Sequence, residues 1–439
     1  MPIKRIGWVL LALAVILGAA AAIFAVPAME QPTPPSSAWE SMAAVSTTVP
    51  IVSSTEDGIE AAPTDDPAAQ TMEATPTPEP TPSNPFFTLA STGDLMVHKK
   101  NLTAAYNKST RTFDYTRFFR QVKPYLEKTD LTIGNFETAL GEGDHPDEFA
   151  GFPLFKTPIA FAEALKDAGY DILTLANNHT LDQKFPGLVF TMNTLESLGF
   201  SLSGAARTVD EVDKIDILEV NGIKVAFLSY SHWFIIRSSD LVPIELTDHS
   251  VSIYDRETAL AQIQKAKEMG AECVIVSMHW GPEENVTEPS QAYQDEVLAL
   301  VQGGADAILG HHPHVLQKAV WLETTRTDGT AVKVPVLYSQ GNFHCNPAED
   351  TNAESCISYL TFEKDPATGR ITCTDMAALP VYIYRLKTEP RDFVLVPIGL
   401  ALDDQATYDD INFDCRTQLE EGWNNILASL GDEIRIIRK

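Results

Sequence analysis

From residue 86 onward the chain alternates two hydrophobic periods. Residues 158–169 place Phe161, Leu165 and Ala168 at i, i+4 and i+7 and stop at Gly169, which predicts a helix, and the strand-like run DILTLA follows. Residues 187–199 repeat the pattern with Leu188, Thr191, Leu195 and Leu198. KIDILEV and IKVAFLSY flank Asn221-Gly222, the signal of a type I′ hairpin. ETALAQIQKAKEMG then leads into CVIVSM, and SQAYQDEVLALVQGG into DAILG. Helix-then-strand alternation of this kind predicts an α/β fold with helices packed over sheets. The tail differs: SYLTFEKDPATGRITCT reads as a hairpin turning at residues 366–369, further β segments follow, and QLEEGWNNILASL reads as a closing helix.

The N-terminal part carries no such alternation. Residues 6–29 are uncharged and mostly apolar, long enough to cross a ~30 Å hydrocarbon core as a helix, and Lys4 and Arg5 precede them. A single-pass anchor over residues 1–29 is therefore expected, with the body on the extracytoplasmic side of the cell membrane. A cleaved signal peptide is the rival reading, against which Pro27 and the length of the run weigh. Residues 30–85 hold eleven of the 28 prolines and no base, the composition of a disordered acidic linker. The expected organisation is thus anchor (1–29), linker (30–85), main domain (86–345) and a β-rich extension (346–439) packed on the same body.

Acids outnumber bases 60 to 32. Lys4 and Arg5 are the only bases before residue 86, and nine acids lie there; the remaining 30 bases and 51 acids still give the body a net charge of −21. This argues against nucleic acid, or any polyanion held by a broadly basic surface, as a partner. Of five cysteines, Cys273 sits in an apolar run and is expected to be a buried thiol, while Cys345 and Cys356 bracket a polar loop and are the best-placed pair for a disulfide.

Polar clusters recur where apolar strand runs stop. TLAST ends at Gly93-Asp94, LTI at Gly134-Asn135-Phe136-Glu137, DILTLA at Asn177-Asn178-His179, VIVSM at His279-Trp280, DAIL at residues 310–314 (GHHPH), and VPVLYSQ at Gly341-Asn342. Ligands of α/β sheets bind beyond the carboxyl ends of the strands, so these clusters are expected to form one site. Carboxylate, imidazole and amide oxygen are the donors of a divalent-metal centre; two cations there would activate water and offset charge on a phosphoryl-like transition state. The chain has no GxSxG, Gly-rich phosphate loop with its Lys, or HExxH.

The series GDLMVH, GNFE, ANNHTLD, HWGPEE, GHHPHVLQ and YSQGNF, over about residues 87–345, resembles the CapA family of poly-γ-glutamate capsule biosynthesis proteins, within the calcineurin-like metallophosphoesterase superfamily. The resemblance implies a sandwich of two β-sheets flanked by helices. It implies two divalent cations (Mn, Fe or Zn), with Asp94, Glu137, Asn178, His279, His312 and His314 as ligands, Glu137 bridging, and His179 as the catalytic acid or transition-state stabiliser. The superfamily's Asp-x-His motif is broken here, since Leu95 and Met96 follow Asp94, which leaves one cation with fewer ligands.

Around this set, His311 reads as either a ligand or a group orienting one, Asp182 as either an acid or the N-cap of the next helix, and Glu283 and Asn342 as substrate-side candidates. Trp280 reads as a wall of the site or a ring that stacks on substrate, and His98, His145, His232, His249 and His344 as surface or loop histidines. The functional expectation is a membrane-anchored capsule-biosynthesis protein with a phosphoesterase-type metal site, its partners an anionic polymer or phosphate-containing substrate and other membrane proteins of capsule synthesis. A surface phosphoesterase unrelated to capsule and a non-catalytic scaffold are the alternatives.

Overall fold

The computed structural model describes residues 84–232, 249–282, 288–346, 353–386, 392–404 and 416–439. The expected anchor, residues 30–83 of the expected linker, Glu283 and Cys415 lie outside them. Among the described residues no helix is long and apolar enough to cross a membrane.

The main strands, in chain order, are β1 (Phe86–Leu95), β2 (Leu131–Asn135), β3 (Ile172–Thr174), β4 (Ser201–Ser203), β5 (Ile217–Val220), β6 (Ile223–Ser231), β7 (Cys273–His279) and β8 (Ala307–His311). They continue with β9 (Ala319–Thr325), β10 (Ala331–Leu337), β11 (Asn342–His344), β12 (Glu354–Lys364), β13 (Ile371–Arg385), β14 (Phe393–Pro397) and β15 (Arg435–Ile436). The helices used below are α1 (Lys99–Ala105), α2 (Ile159–Asp167), α3 (Lys184–Ser197), α4 (Arg256–Glu268), α5 (Gln291–Gly303) and α6 (Arg416–Leu430).

Two sheets carry the fold. The first runs β14-β13-β12-β1-β2-β3-β4, with β11 also pairing β1 and β15 pairing β13; the second runs β9-β10-β8-β7-β6-β5. β1 to β4 are parallel to one another, as are β6, β7, β8 and β10. The sheets meet where β1 contacts β8, β4 contacts β6 and β10 contacts β13.

Burial explains why the central strands read as unbroken apolar runs. All seven residues of β7 are buried, so both faces are mostly apolar, with polar Ser277 and His279 only toward its end. Its Val274, Val276 and Met278 pack with Ala259, Ile263 and Ala266 of α4 and with Val297, Leu300 and Val301 of α5. The residues between them point to the opposite face of the sheet. At the centre of the first sheet, Phe87 and Phe362 lie opposite each other on β1 and β12 with rings stacked 4.9 Å apart, a cross-strand pair worth about 0.5–1.5 kcal/mol beyond its area.

Local signals in the sequence appear as drawn. Asn221 and Gly222 both take positive φ (49° and 77°) between β5 and β6, as a type I′ turn requires. Between β12 and β13 the Asp365 carboxylate accepts from the amides of Ala367 and Thr368, and Gly369 turns at φ 72°. The closing helix α6 buries Leu419, Ile426 and Leu430 and contacts β12 and β13, so strands and helix from the last hundred residues complete the first sheet.

Two expectations are corrected. Cys356 is a buried thiol whose Sγ lies 3.5 Å from Ser358 Oγ, and no Cys345–Cys356 disulfide forms; both positions are buried within the sheet region, and burial pushes the Cys356 thiol up to about 11. His344 is not a loop histidine. It is wholly buried on β11, its ring stacked on Phe118 and Phe119 and its Nδ1 2.6 Å from Met96 O. Cys273 is a buried thiol, and burial raises its pKa well above the ordinary value.

Candidate metal centre

Register brings the polar clusters together. Asp94, near the end of β1, pairs with Asn135 at the end of β2 on one side and with Asn342 at the start of β11 on the other. In the second sheet His279 ends β7 directly opposite His311 at the end of β8. His312 and His314 follow with φ of 96° and 58°, a left-handed backbone that ordinary residues adopt at a cost and that recurs at functional sites. Thus the carboxyl ends of strands from both sheets face one another, and Asp94 Oδ2 accepts from the His312 amide at 3.2 Å across the gap.

Two compact donor groups result. Asp94, Glu137 and His279 form one, and Glu137, His312 and His314 form the other, with ligand atoms within 4.8 Å of one another in each. Glu137 belongs to both, so one carboxylate is within reach of either group. Glu137 Oε1 lies 3.5 Å from His279 Nε2 and 3.8 Å from His314 Nε2. Asn178 Oδ1 lies 2.8 Å from His279 Nε2, so those two atoms can face a common cation.

Electrostatics tests whether cations fit. Asp94 and Glu137 are both fully buried, and an uncompensated buried carboxylate is costly. Burial raises the Asp94 pKa, but hydrogen bonds and charge from His311 and His314 outweigh it and hold the carboxyl well below its usual range. Burial, reinforced by neighbouring imidazoles, keeps His279 neutral and lowers His312 to about 3. An Asp94 carboxylate held anionic beside His279 and His312 imidazoles held neutral is a donor set that divalent cations complete. Imidazole and carboxylate together suit zinc, manganese or iron.

The supporting groups explain the orientation of the ligands. His314 Nδ1 sits between Asn342 Oδ1 (3.0 Å) and Asp94 Oδ2 (3.2 Å), leaving Nε2 toward Glu137. His311 Nδ1 lies 3.3 Å from Asp94 Oδ1 and belongs to neither donor group. His179 stands beside the cluster with Nδ1 2.7 Å from Asp182 Oδ2, an oxygen that also accepts from the Phe155 amide at 2.6 Å. The N-cap reading of Asp182 therefore does not hold; Gln183 takes that place before α3. Burial raises the Asp182 pKa against the opposing hydrogen bonds of His179 and Phe155. Trp280 is buried against Tyr293 and His232.

Two residues that the motifs contain, and one outside them, were not singled out. Asn135 Nδ2 donates to Asp94 Oδ1 at 2.8 Å and reaches Glu137 Oε2 at 3.3 Å and His279 Nδ1 at 3.2 Å, tying the site together. Asn177 donates to Phe136 O and accepts from the His179 amide. Phe155 packs edge-on to His179 with centroids 4.6 Å apart. GNFE and ANNH carried the first two signals; Phe155 lies in a loop with none.

Residues 88–347 match the family described as bacterial capsule synthesis protein PGA_cap. The capsule biosynthesis protein CapA of Bacillus anthracis is 33% identical over 241 residues, which cover 53% of this chain and 56% of that protein, little more than half its length. The PGA biosynthesis protein CapA of Bacillus subtilis (strain 168) is 26% identical over 293 residues, covering 66% of this chain and 72% of that protein. Among solved structures, the calcineurin-like phosphoesterase YfkN of Bacillus subtilis is 18% identical with a TM-score of 0.41, covering 78% of this chain and 100% of that chain.

Proposed function

Because the chain belongs to the bacterial capsule synthesis protein family PGA_cap, we propose that it is a membrane-anchored extracytoplasmic protein of poly-γ-glutamate or capsule production that hydrolyses a phosphate-containing substrate at a two-cation site. The observation that carries this reading is the sharing of Glu137 between two donor groups, with the His179–Asp182 pair alongside. Asp94, Glu137, Asn178, His279, His312 and His314 would hold the cations. Bound there, divalent cations supply charge neutralisation and a water of lowered pKa.

The chain's own residues supply the rest. Asp182 engages His179 Nδ1, which fixes the ring and leaves Nε2 as the nitrogen that exchanges a proton with the substrate's leaving oxygen. Phe155 and Phe152 flank that imidazole and limit water around it. The excess of acids is consistent with an anionic substrate only if positive charge is concentrated at particular places, which the cations would provide.

The test uses the full chain in detergent micelles loaded with manganese, with bis(p-nitrophenyl) phosphate as substrate. His179→Ala is expected to lower turnover by about 10²–10⁴-fold with metal content unchanged, the usual range for loss of a general acid. Undiminished turnover in the variant contradicts the role of His179. Absence of turnover in the loaded parent favours the scaffold alternative.

A further inference from the structure

The net charge of −28 makes one surface region unusual. A cavity of about 620 Å³ is lined by Lys100, Lys108, Arg117 and Arg385, with Asp114 as its one acid. A second, of about 470 Å³, shares Thr103, Tyr106 and Lys108 with it and adds Lys99, Arg111, His145 and the acid Asp147. With nearly two acids per base in the chain, most surface cations are expected to find a carboxylate. Lys99, Arg111 and Arg117 do, in Asp147, Asp144 and Asp392. Lys100, Lys108 and Arg385 have no ion-pair partner among the described residues, and Arg385 lies over the Phe393 ring. Arg117 Nε is buried without a hydrogen-bond partner. Unbalanced cations gathered in one concave region of an acidic protein form a focused positive field.

The region adjoins the metal centre through the chain. α1 supplies Lys100 and Thr103, and it starts directly after His98, whose ring packs edge-on to Phe155, itself against His179. One helix of roughly 10 Å therefore links the edge of the site to the cavities. A small anion engages one cavity, whereas a chain of repeated carboxylates engages both through the shared Lys108.

The geometry points to the paired cavities around α1 as a binding groove for an extended polycarboxylate chain, which holds the polymer with one end toward His179. This rests on the capsule-polymer reading above. The capsule-polymer reading assigns the anionic groups as carboxylates; the guanidinium fork of Arg385 fits a carboxylate or a phosphate alike, so polyphosphate is the competitor that decides between them.

The experiment measures equilibrium binding of fluorescently labelled polyglutamate to the full chain in detergent micelles, with no turnover involved. Lys100→Gln/Lys108→Gln/Arg385→Gln is expected to weaken binding at least tenfold, with thermal midpoint and metal content unchanged. A charge-matched control, Lys214→Gln/Lys265→Gln/Lys333→Gln, is expected to change it less than twofold, and rising salt is expected to weaken parental binding by screening. Binding by the cavity variant within twofold of the parent overturns the groove, as does an equal loss in the control. Tenfold preference for polyphosphate overturns the carboxylate assignment. Loss of binding in His312→Ala, with none in the cavity variant, places the polymer at the cations instead. Failure of diester hydrolysis in the earlier assay leaves this binding result standing, so the two readings fail separately.

Discussion

At the scale of single residues, the histidines divide by what surrounds them. His279, His312 and His314 face carboxylates in the metal centre, whereas His344 is packed among Phe118, Phe119 and Phe161 and held by Met96 O. Burial lowers the His344 pKa from 6.5 to about 4. Above pH 6.5 it is neutral in both folded and unfolded chains and adds no pH dependence. Between pH 6.5 and 4 the unfolded chain takes up the proton and the folded one does not, so stability falls as pH falls, by on the order of 3 kcal/mol across that window. His344→Phe removes this dependence while losing the bond to Met96 O. Urea denaturation at pH 7 and pH 4.5 is expected to show a smaller acid loss in the variant than in the parent; an equal loss contradicts the assignment. Nothing in Gly341-Asn342-Phe343-His344 marked the last position as core, because its cage comes from distant parts of the chain.

At the scale of elements, the ligands depend on close backbone approaches. A Cβ at Gly93 would stand 2.0 Å from Gly341 O, the acceptor of the Asp94 amide, so the turn before β11 sits against β1 at a distance that only glycine permits. Gly93→Ala is expected to cost about 1–3 kcal/mol by overpacking and to reduce bound metal by moving Asp94. Thermal denaturation and metal analysis check it, and retention of both parental values contradicts it. Element types were legible because β7 and β8 are buried on both faces and α2, α4 and α5 bury one stripe. The Asn221-Gly222 turn was legible from local chemistry alone. The strand-end clusters likewise announced where a site would lie. Pairing was not legible: that β11 joins β1, or that His279 stands opposite His311, is set by register between distant segments. Asp182 was ambiguous for the same reason, since Phe155, which shares its oxygen with His179, arrives from another loop.

At the scale of the whole molecule, two sheets bring their strand ends together around two buried carboxylates in a strongly acidic chain. The charge that first spoke against polyanions now has two exceptions, the proposed cations and the cavities around α1. Both exceptions lie where the chain gathers positive charge or the donors to bind it, and the centre is the more fundamental, since it buries two carboxylates whose fellow members in the donor groups are imidazoles. Metal stoichiometry therefore distinguishes a two-cation centre from any other use of these donors. Elemental analysis of the full chain, after equilibration with manganese and removal of loosely bound ion, is expected to give two metal ions per chain and at most one in Glu137→Ala. Two ions retained in that variant, or none in the parent, would contradict a centre bridged by Glu137.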